Sequence, residues 1–131
     1  MNTQAHQAYQ KNSIETATPG ELTLMLYNGC IKFIKRSKLD IENSNIESKN
    51  TNIQKAINII NELIVNLNME YEVSKEMLPL YEYIRHQLIQ ANIKNDVDML
   101  TEAQGLVEEF RDTWKEVIKL NRQREFTSGN A

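Results

Sequence analysis

Apolar side chains recur every three or four positions through four long segments of the chain, and no segment alternates apolar with polar residues. The observed spacing is that of one face of an α-helix, whereas alternation would indicate a strand. The pattern predicts an all-α protein, and the short polar connections favour an antiparallel up-down four-helix bundle. We expect an N-terminal arm over residues 1–17, the bundle over 18–120 and a flexible C-terminal tail over 121–131.

Three signals mark the start of the first helix. Thr18 has a hydroxyl that can cap the amides of a first turn, Pro19 has the φ angle of a first helical residue, and Glu21 stands where a capping box places its carboxylate. We therefore expect the helix to begin at Pro19, within about two residues.

The first helix has more apolar surface than one buried face requires. At ~100° per residue, one stripe has the spacing of an ordinary core face and consists of Leu22, Leu26, Gly29, Cys30 and Phe33. A second stripe, turned roughly 130° away, consists of Leu24, Tyr27, Ile31 and Ile34. Either the helix lies between two neighbours that bury both stripes, or part of the second stripe binds a partner.

A second helix is expected from about Thr51 to Asn68, after a polar loop over residues 43–50. Two apolar residues, Ile59 and Val65, fall outside its core stripe on opposite flanks. The stripe itself consists of Ile53, Ala56, Ile57, Ile60, Leu63, Ile64 and Leu67.

The third helix has an ambiguous start. Ser74 is a candidate cap, but Pro79 removes a helical hydrogen bond anywhere beyond the first turn. Either the helix begins near Met77, or its first turn is distorted. Tyr83 and Ile89 lie outside the predicted core stripe, which consists of Met77, Leu80, Tyr81, Ile84, Leu88 and Ala91.

The fourth helix follows Asp96, a candidate cap. Its apolar residues form one broad face, which predicts burial along most of its length. They are Met99, Ala103, Leu106, Val107, Phe110, Trp114, Val117 and Ile118.

Composition narrows the functional classes. A chain of 131 residues fits one domain, and Cys30 is its only cysteine, which fits a reducing compartment. No secretory leader or membrane-spanning run is evident, so we expect a cytoplasmic protein without membrane insertion. The net charge is −3, and nucleic-acid binding has little support because a basic face is missing. The one basic cluster, near the end of the first helix, complements the helix dipole and consists of Lys32, Lys35, Arg36 and Lys38.

Catalytic and cofactor chemistry is not supported either. A di-iron bundle requires Glu-x-x-His motifs on two helices, whereas the chain has only His6 in the arm and His86. His86 as a phosphoacceptor is disfavoured because the sequence that follows lacks the Lys-Gly pair typical of histidine phosphotransfer domains. No Gly-rich phosphate loop, nucleophile elbow or metal-ligand spacing is present, so we expect no enzyme, no metal and no cofactor.

The order of several short motifs is specific, although each alone is weak. Tyr9 lies in the arm, and the first helix opens with Thr18-Pro19-Gly20-Glu21-Leu22 and continues with Leu24-Met25-Leu26-Tyr27-Asn28-Gly29. Later helices add further pieces: Ile59-Ile60, Leu63, Leu80-Tyr81-Glu82-Tyr83, Ala91-Asn92 and Trp114. In these motifs nearly the whole chain resembles the FliS-type flagellar export chaperones, with Pro79 as the main departure.

This resemblance implies a cytoplasmic four-helix protein that binds the disordered C-terminal region of flagellin and prevents its polymerisation. It also implies delivery to the export gate of the flagellar type III secretion apparatus and, in some lineages, competition with other flagellin-binding regulators. Apolar residues left outside the core suit such a host, because a disordered client gains affinity by laying helices into apolar grooves. The predicted contacts are Leu24, Tyr27, Ile31, Ile34, Ile59, Val65, Tyr83 and Ile89.

Two further hypotheses concern the free protein. Tyr9 and Ile14, the large apolar residues of the arm, would anchor it over a client groove until flagellin displaces it. The alternative to a chaperone is a structural bundle that self-associates through the same apolar residues into a homo-oligomeric scaffold. The chaperone reading predicts a monomer or a weak homodimer when no client is present.

Overall fold

The computed structural model describes the backbone of residues 17–129 and the side chains of residues 17–124. The described part contains helices α1 (Pro19–Glu42), α2 (Ile46–Val65), α3 (Glu72–Lys94) and α4 (Val97–Gly129), and no strand.

Each helix packs against two neighbours, α1 and α3 both lying against α2 and α4. Consecutive helices run in opposite directions: Asp40 near the end of α1 bonds Ser48 near the start of α2. Similarly, Lys49 at the start of α2 bonds Asn92 at the end of α3. The all-α four-helix bundle predicted from the sequence is confirmed.

Every helix contributes to one continuous core. Its largest fully buried side chains include two tyrosines, Tyr27 and Tyr81, as well as the expected branched aliphatic residues. The aliphatic members at 0% exposure are Ile34, Ile53, Ile60, Ile84, Leu88 and Leu100.

The predicted start of α1 is confirmed by its capping box. The amide of Glu21 donates to the Thr18 hydroxyl at 3.2 Å, and the Glu21 carboxylate accepts from the amide of Thr18 at 3.4 Å. Pro19 occupies the first turn, where its missing N–H leaves no helical bond unmade.

The start of α2 differs from the prediction. The helix begins at Ile46 rather than near Thr51, because Asn45 caps it by accepting from the amide of Ser48 at 3.2 Å. The polar loop over 43–50 is therefore largely helical. Within that stretch Lys49 is 2% exposed, and its ammonium donates to the backbone carbonyl of Asn92 at 2.8 Å. Burial lowers the pKa of Lys49.

The start of α3 also corrects the sequence analysis. The helix begins at Glu72 with no side-chain cap, and Ser74 is buried inside it. Pro79 lies within the helix and deprives the carbonyl of Lys75 of its usual partner. Both residues are exposed, so water can satisfy that carbonyl and the helix tolerates the proline.

The cap of α4 is confirmed, whereas its end is not where we predicted. Asp96 accepts from the amides of Asp98 at 2.9 Å and Met99 at 3.2 Å. The helix continues to Gly129, so residues 121–129 are helical rather than an irregular tail. Residues 121–128 contain neither glycine nor proline and include several good helix formers, which explains the continuation. That this segment is flexible stays a prediction.

Candidate functional site

The two apolar stripes of α1 differ in burial, and the stripe that we considered as a partner-binding surface is the more deeply buried one. Three members of the proposed binding stripe are core residues: Tyr27 is 1%, Ile31 4% and Ile34 0% exposed. We predicted these side chains as client contacts. Ile31 and Ile34 have almost no surface left for a client, which corrects those two assignments, whereas Tyr27 lines a cavity described below. The reason is geometric: α2 and α4 approach α1 on the side of these residues, where the ring of Tyr27 stacks on Phe110 of α4 at 6.0 Å.

The predicted core stripe instead forms much of the outer face of α1, which we define as Leu22, Met25, Leu26, Gly29 and Phe33. Leu22 is 36% and Met25 39% exposed. Leu26 and Phe33 are half-buried against the core. A Cβ at Gly29 would lie 3.3 Å from Cδ1 of Ile59, so the glycine marks a close approach of α1 to α2. Of the predicted core stripe of α1, Cys30 alone is fully buried.

Three cations surround Phe33. The charged groups of Lys32, Arg36 and Lys55 lie 4.9, 5.9 and 5.3 Å from the ring centroid. Because α1 continues to Glu42, the basic cluster is not in its last turn, and the dipole explanation is wrong. For Lys32 and Arg36, the two cluster members near Phe33, contact with the electron-rich face of its ring is the better explanation.

Leu24 lies in a groove between α1 and α4. It is half-buried and lines a cavity of about 350 Å³ together with Ile118 of α4. The exposed Lys115 and Lys119 stand at the rim. Of the four α1 residues predicted to bind a client, Leu24 is the one that reaches the surface.

The candidates on α2 and α3 lie apart from one another. Ile59 is half-buried against α1, whereas Val65, at the end of α2, is 77% exposed. Tyr83 is exposed and donates its hydroxyl to the Glu102 carboxylate of α4, a bond that raises the pKa of Tyr83. Ile89 is exposed on α3. The eight candidates therefore do not form one surface.

A groove that was not predicted from the sequence lies between α3 and α4. Leu80, which we placed in the core stripe, is 46% exposed and lines a cavity of about 250 Å³ with Leu106 and Phe110. We call this site the α3/α4 groove. One signal was available: Leu80 and Tyr83 are three residues apart and therefore share one flank of α3.

A third cavity, which we call the end cavity, opens at the end of the bundle where α1 and α3 begin. Its volume is about 280 Å³, and Tyr27 and Tyr81 reach it from the core. Their hydroxyl oxygens are 2.5 Å apart, and the ring of Tyr81 lies 5.0 Å from Phe110. Burial raises the pKa of both tyrosines. Trp114 also lines the cavity and donates its indole N–H to the carbonyl of Gly20 at 2.8 Å.

Other kinds of site were sought in the described residues. Within residues 17–124, whose side chains the structure describes, no three potential ligand side chains come together as a metal site would require. None of the described helices combines the length and apolarity needed to cross a membrane. The arm anchors Tyr9 and Ile14 lie outside the described residues.

Comparison with known proteins agrees with this architecture. Residues 1–121 match the family described as flagellar protein FliS. The chain belongs to the FliS family. The flagellar secretion chaperone FliS of Bacillus subtilis is 54% identical over 122 residues, which cover 93% of this chain and 92% of that one. The FliS of Escherichia coli is 35% identical over 119 residues, covering 86% and 88% of the two chains.

A solved structure described as a flagellar chaperone from bacteria supports the fold. It superposes with a TM-score of 0.73 at 20% identity, covering 91% of this chain and 98% of that one. Membership of the FliS family makes this chain a chaperone of flagellar export rather than an enzyme. The predicted resemblance is thus confirmed.

Proposed function

We propose that this chain binds the disordered C-terminal region of flagellin in the cytoplasm, keeps it from polymerising and delivers it to the flagellar type III secretion apparatus. The α3/α4 groove is the observation that carries this proposal. Leu80 is 46% exposed beside a cavity of about 250 Å³ that also contacts Phe110. An open cleft with an aromatic floor is the kind of surface that accepts the apolar face of a client helix.

The groove has a polar boundary as well as an apolar floor. Tyr83 and Gln87 of α3 both bond the carboxylate of Glu102 on α4, which ties the two helices together at one end of the groove. Fixing these walls leaves the cleft formed before a client arrives, so less ordering is required of the chaperone itself. The conformational entropy lost on binding is then mainly that of the client.

A preformed groove and a disordered client suit a transport chaperone. A disordered segment loses conformational entropy when it folds onto a groove, so a large interface can remain releasable. Release is needed because the client must leave the chaperone during export. In this proposal Leu24, Ile59, Val65, Tyr83 and Ile89 stay candidate contacts. Ile31 and Ile34 support the surface from the core, and Tyr27 can be reached through the end cavity.

The test is a calorimetric titration of a flagellin C-terminal peptide into the full chain. Leu80→Gln should weaken binding by about tenfold, which corresponds to about 1.4 kcal/mol, because the groove loses its most exposed apolar contact. Ile93→Gln is the matched control: it is an aliphatic residue on the same helix, is 69% exposed and does not line the groove. This control should change the affinity less than about twofold.

Two results would contradict the proposal. One is the absence of binding heat with the wild-type chain at every temperature tried. The other is equal loss of affinity in the Leu80 and Ile93 variants, which would place the client elsewhere. The mass of the free chain in solution distinguishes the chaperone from the alternative, a homo-oligomeric scaffold. A stable oligomer that does not respond to flagellin would favour the scaffold.

The arm forms a separate part of the proposal. Tyr9 and Ile14 would cover a client surface in the free chaperone and be displaced by flagellin, the motivation being two apolar side chains in an otherwise polar segment. Deleting residues 1–15 should then tighten flagellin binding or increase aggregation of the free chain. Unchanged behaviour in both assays would count against this role.

Delivery requires at least one further partner. We propose that an export gate component recognises the loaded chaperone, and that other flagellin-binding regulators compete for the same client. Pull-down of the purified gate component by the chaperone with and without flagellin tests this step. Equal capture in the two conditions would contradict recognition of the loaded state.

A further inference from the structure

We infer that the end cavity is an anchor site for one neutral side chain of the client, with an apolar stem and a terminal oxygen that accepts a hydrogen bond. A carboxamide side chain such as glutamine has this chemistry. The inference rests on the proposed function for the identity of the partner, but the chemistry of the cavity is argued from this chain alone.

The hydroxyls of Tyr27 and Tyr81 supply the polar part of the argument. Each tyrosine hydroxyl has one hydrogen to donate. One of the two hydrogens is used in the 2.5 Å bond between them, and no other hydrogen bond joins either hydroxyl to a described residue. The second hydrogen is therefore free to donate. Since the side chains are 1% and 2% exposed and both line the cavity, its floor is where an acceptor can reach them.

The cavity walls supply the apolar part. Leu63, Met77 and Trp114 contribute apolar surface around the hydroxyl pair. The lining also includes the neutral polar residues Thr23, Asn66, Asn68 and Ser74. The apolar portion of the ligand is therefore the part next to its oxygen, which packs on Leu63, Met77 and Trp114. The volume of about 280 Å³ accommodates one side chain of this kind rather than a whole helix.

The carboxylates of Asp and Glu also accept hydrogen bonds, but their charge excludes them from this cavity. No described residue lining the end cavity is charged, so a buried carboxylate from Asp or Glu would have no cation to compensate its desolvation. Burial also raises the pKa of both tyrosines, which keeps their hydroxyl hydrogens in place near neutral pH. The site therefore discriminates between a carboxamide and a carboxylate of the same shape.

Butyramide and butyrate test this discrimination directly, because they have the same carbon chain and differ in charge. The only tryptophan, Trp114, lines the cavity, so its indole N–H resonance reports on occupancy in the full chain. Butyramide should shift this resonance saturably in the millimolar range, and butyrate should bind about tenfold more weakly. No saturable shift, or equal affinity for the two compounds, would overturn the inference.

A matched pair of variants locates the binding. Thr23 lines the end cavity and donates its hydroxyl to the carbonyl of Pro19 at 3.2 Å. Thr51 is exposed on α2 and donates to the carbonyl of Glu47, also at 3.2 Å. Thr23→Met should fill the cavity and abolish the butyramide shift, whereas Thr51→Met should preserve it. Binding that survives Thr23→Met lies elsewhere and would overturn the inference.

The hydroxyl pair is tested by removing both oxygens. The double variant Tyr27→Phe/Tyr81→Phe keeps the two rings and the stack on Phe110 while eliminating the free donor. It should reduce butyramide affinity by about fivefold or more. Thermal unfolding of the variant is measured in parallel, and a folded variant that binds butyramide as tightly as the wild type would overturn the role of the hydroxyls.

Other occupants predict different results. If residues 1–16 filled the cavity, Tyr9→Ala or Ile14→Ala would strengthen butyramide binding. If a second copy filled it, Thr23→Met would abolish self-association measured by sedimentation. Loss of self-association in Thr23→Met would overturn the assignment to a client. Tighter butyramide binding in the arm variants would support it, because the proposed function has the arm cover a client surface until flagellin displaces it.

Flagellin completes the test. Thr23→Met should lower the affinity for the flagellin C-terminal peptide by about fivefold, and Thr51→Met should leave this affinity unchanged. Full flagellin affinity in Thr23→Met would show that the client does not use this cavity. If wild-type chain binds no flagellin, the proposed function fails, whereas the butyramide titration still decides the chemistry of the cavity.

Discussion

The inner and outer faces of α1 both consist largely of apolar side chains but have very different environments. Tyr27, Ile31 and Ile34 on the inner face are buried, whereas Leu22 and Met25 on the outer face are more than a third exposed. Hydrophobicity alone therefore does not decide which face enters the core. Neighbouring helices decide it, because α2 and α4 cover the inner face, whereas the outer face meets α2 at Gly29 and leaves Leu22 and Met25 exposed.

This comparison also explains how a chaperone can be stable and still expose apolar side chains. The core is already supplied by all four helices, so the outer face of α1 and the α3/α4 groove need not be buried to hold the fold. Apolar surface that is not required for folding is available for a client. Stability and binding should therefore respond to different substitutions, which the following predictions examine.

The largest expected effect comes from truncating the inner face. Ile34→Ala should lower the free energy of unfolding by about 3 kcal/mol, because Ile34 is 0% exposed and its loss leaves a cavity. Leu22→Ala on the outer face should cost about 0.5 kcal/mol. Urea unfolding of both variants measures the difference. Equal losses would refute the distinction between the two faces.

An intermediate effect is expected from Cys30 at alkaline pH. Burial raises the pKa of its thiol from 9.0 to about 12. The unfolded chain therefore loses this proton at lower pH than the folded chain, and stability should fall as pH rises from 9 towards 12, by about 1.4 kcal/mol per unit.

Cys30→Ala provides the control for that pH dependence. Its loss of stability between pH 8 and pH 10 should be smaller than that of the wild type by about 1.4 kcal/mol, whatever the variant costs at neutral pH. Identical slopes for the two chains would show that the thiol does not titrate differently on folding, and would argue against its burial on the inner face.

The smallest effects concern two helical glycines. An added Cβ at Gly105 meets no atom within 4 Å, so Gly105→Ala should raise stability by about 1 kcal/mol. At Gly29 the same Cβ would lie 3.3 Å from the end of the Ile59 side chain. Ile59 is half-buried and must shift slightly, so Gly29→Ala should gain only about 0.5 kcal/mol.

Thermal unfolding of the two glycine variants measures this order. A larger gain at Gly29 than at Gly105 would mean that α1 and α2 are not in close contact on the outer face. A net loss at Gly29 would mean instead that Ile59 cannot move, and that the contact is tighter than its partial exposure indicates.

Much of the fold could be predicted because its signals are local. The capping box of Thr18 and Glu21, the Asp96 cap and the apolar spacing of the helices depend on residues within a few positions of one another. Prediction failed where competing local signals had to be ranked. Asn45 rather than a later residue capped α2, and α3 accommodated Pro79 at an exposed position inside the helix.

The candidate site was predicted less well, since it depends on orientation. The two stripes of α1 have no decisive signal for orientation: the inner stripe continues beyond Ile34 as the polar Lys38 and then the apolar Ile41, and the outer stripe continues beyond Phe33 as the polar Arg36 and Asp40. For Leu80 the one signal was that it shares a flank of α3 with Tyr83. The exposure of Leu80 depends on the position of α4, and the spacing of apolar residues in α3 gives no information on that position.

The sequence by itself determined that the chain forms four amphipathic helices, that it has more apolar surface than one face per helix requires, and that its motifs are those of FliS proteins. Only the tertiary structure decided which stripe of α1 is buried. It alone paired Tyr27 with Tyr81 and the indole of Trp114 with the carbonyl of Gly20. Helical periodicity fixes the angles between side chains on one helix, whereas contacts between distant segments depend on where the other helix axes lie.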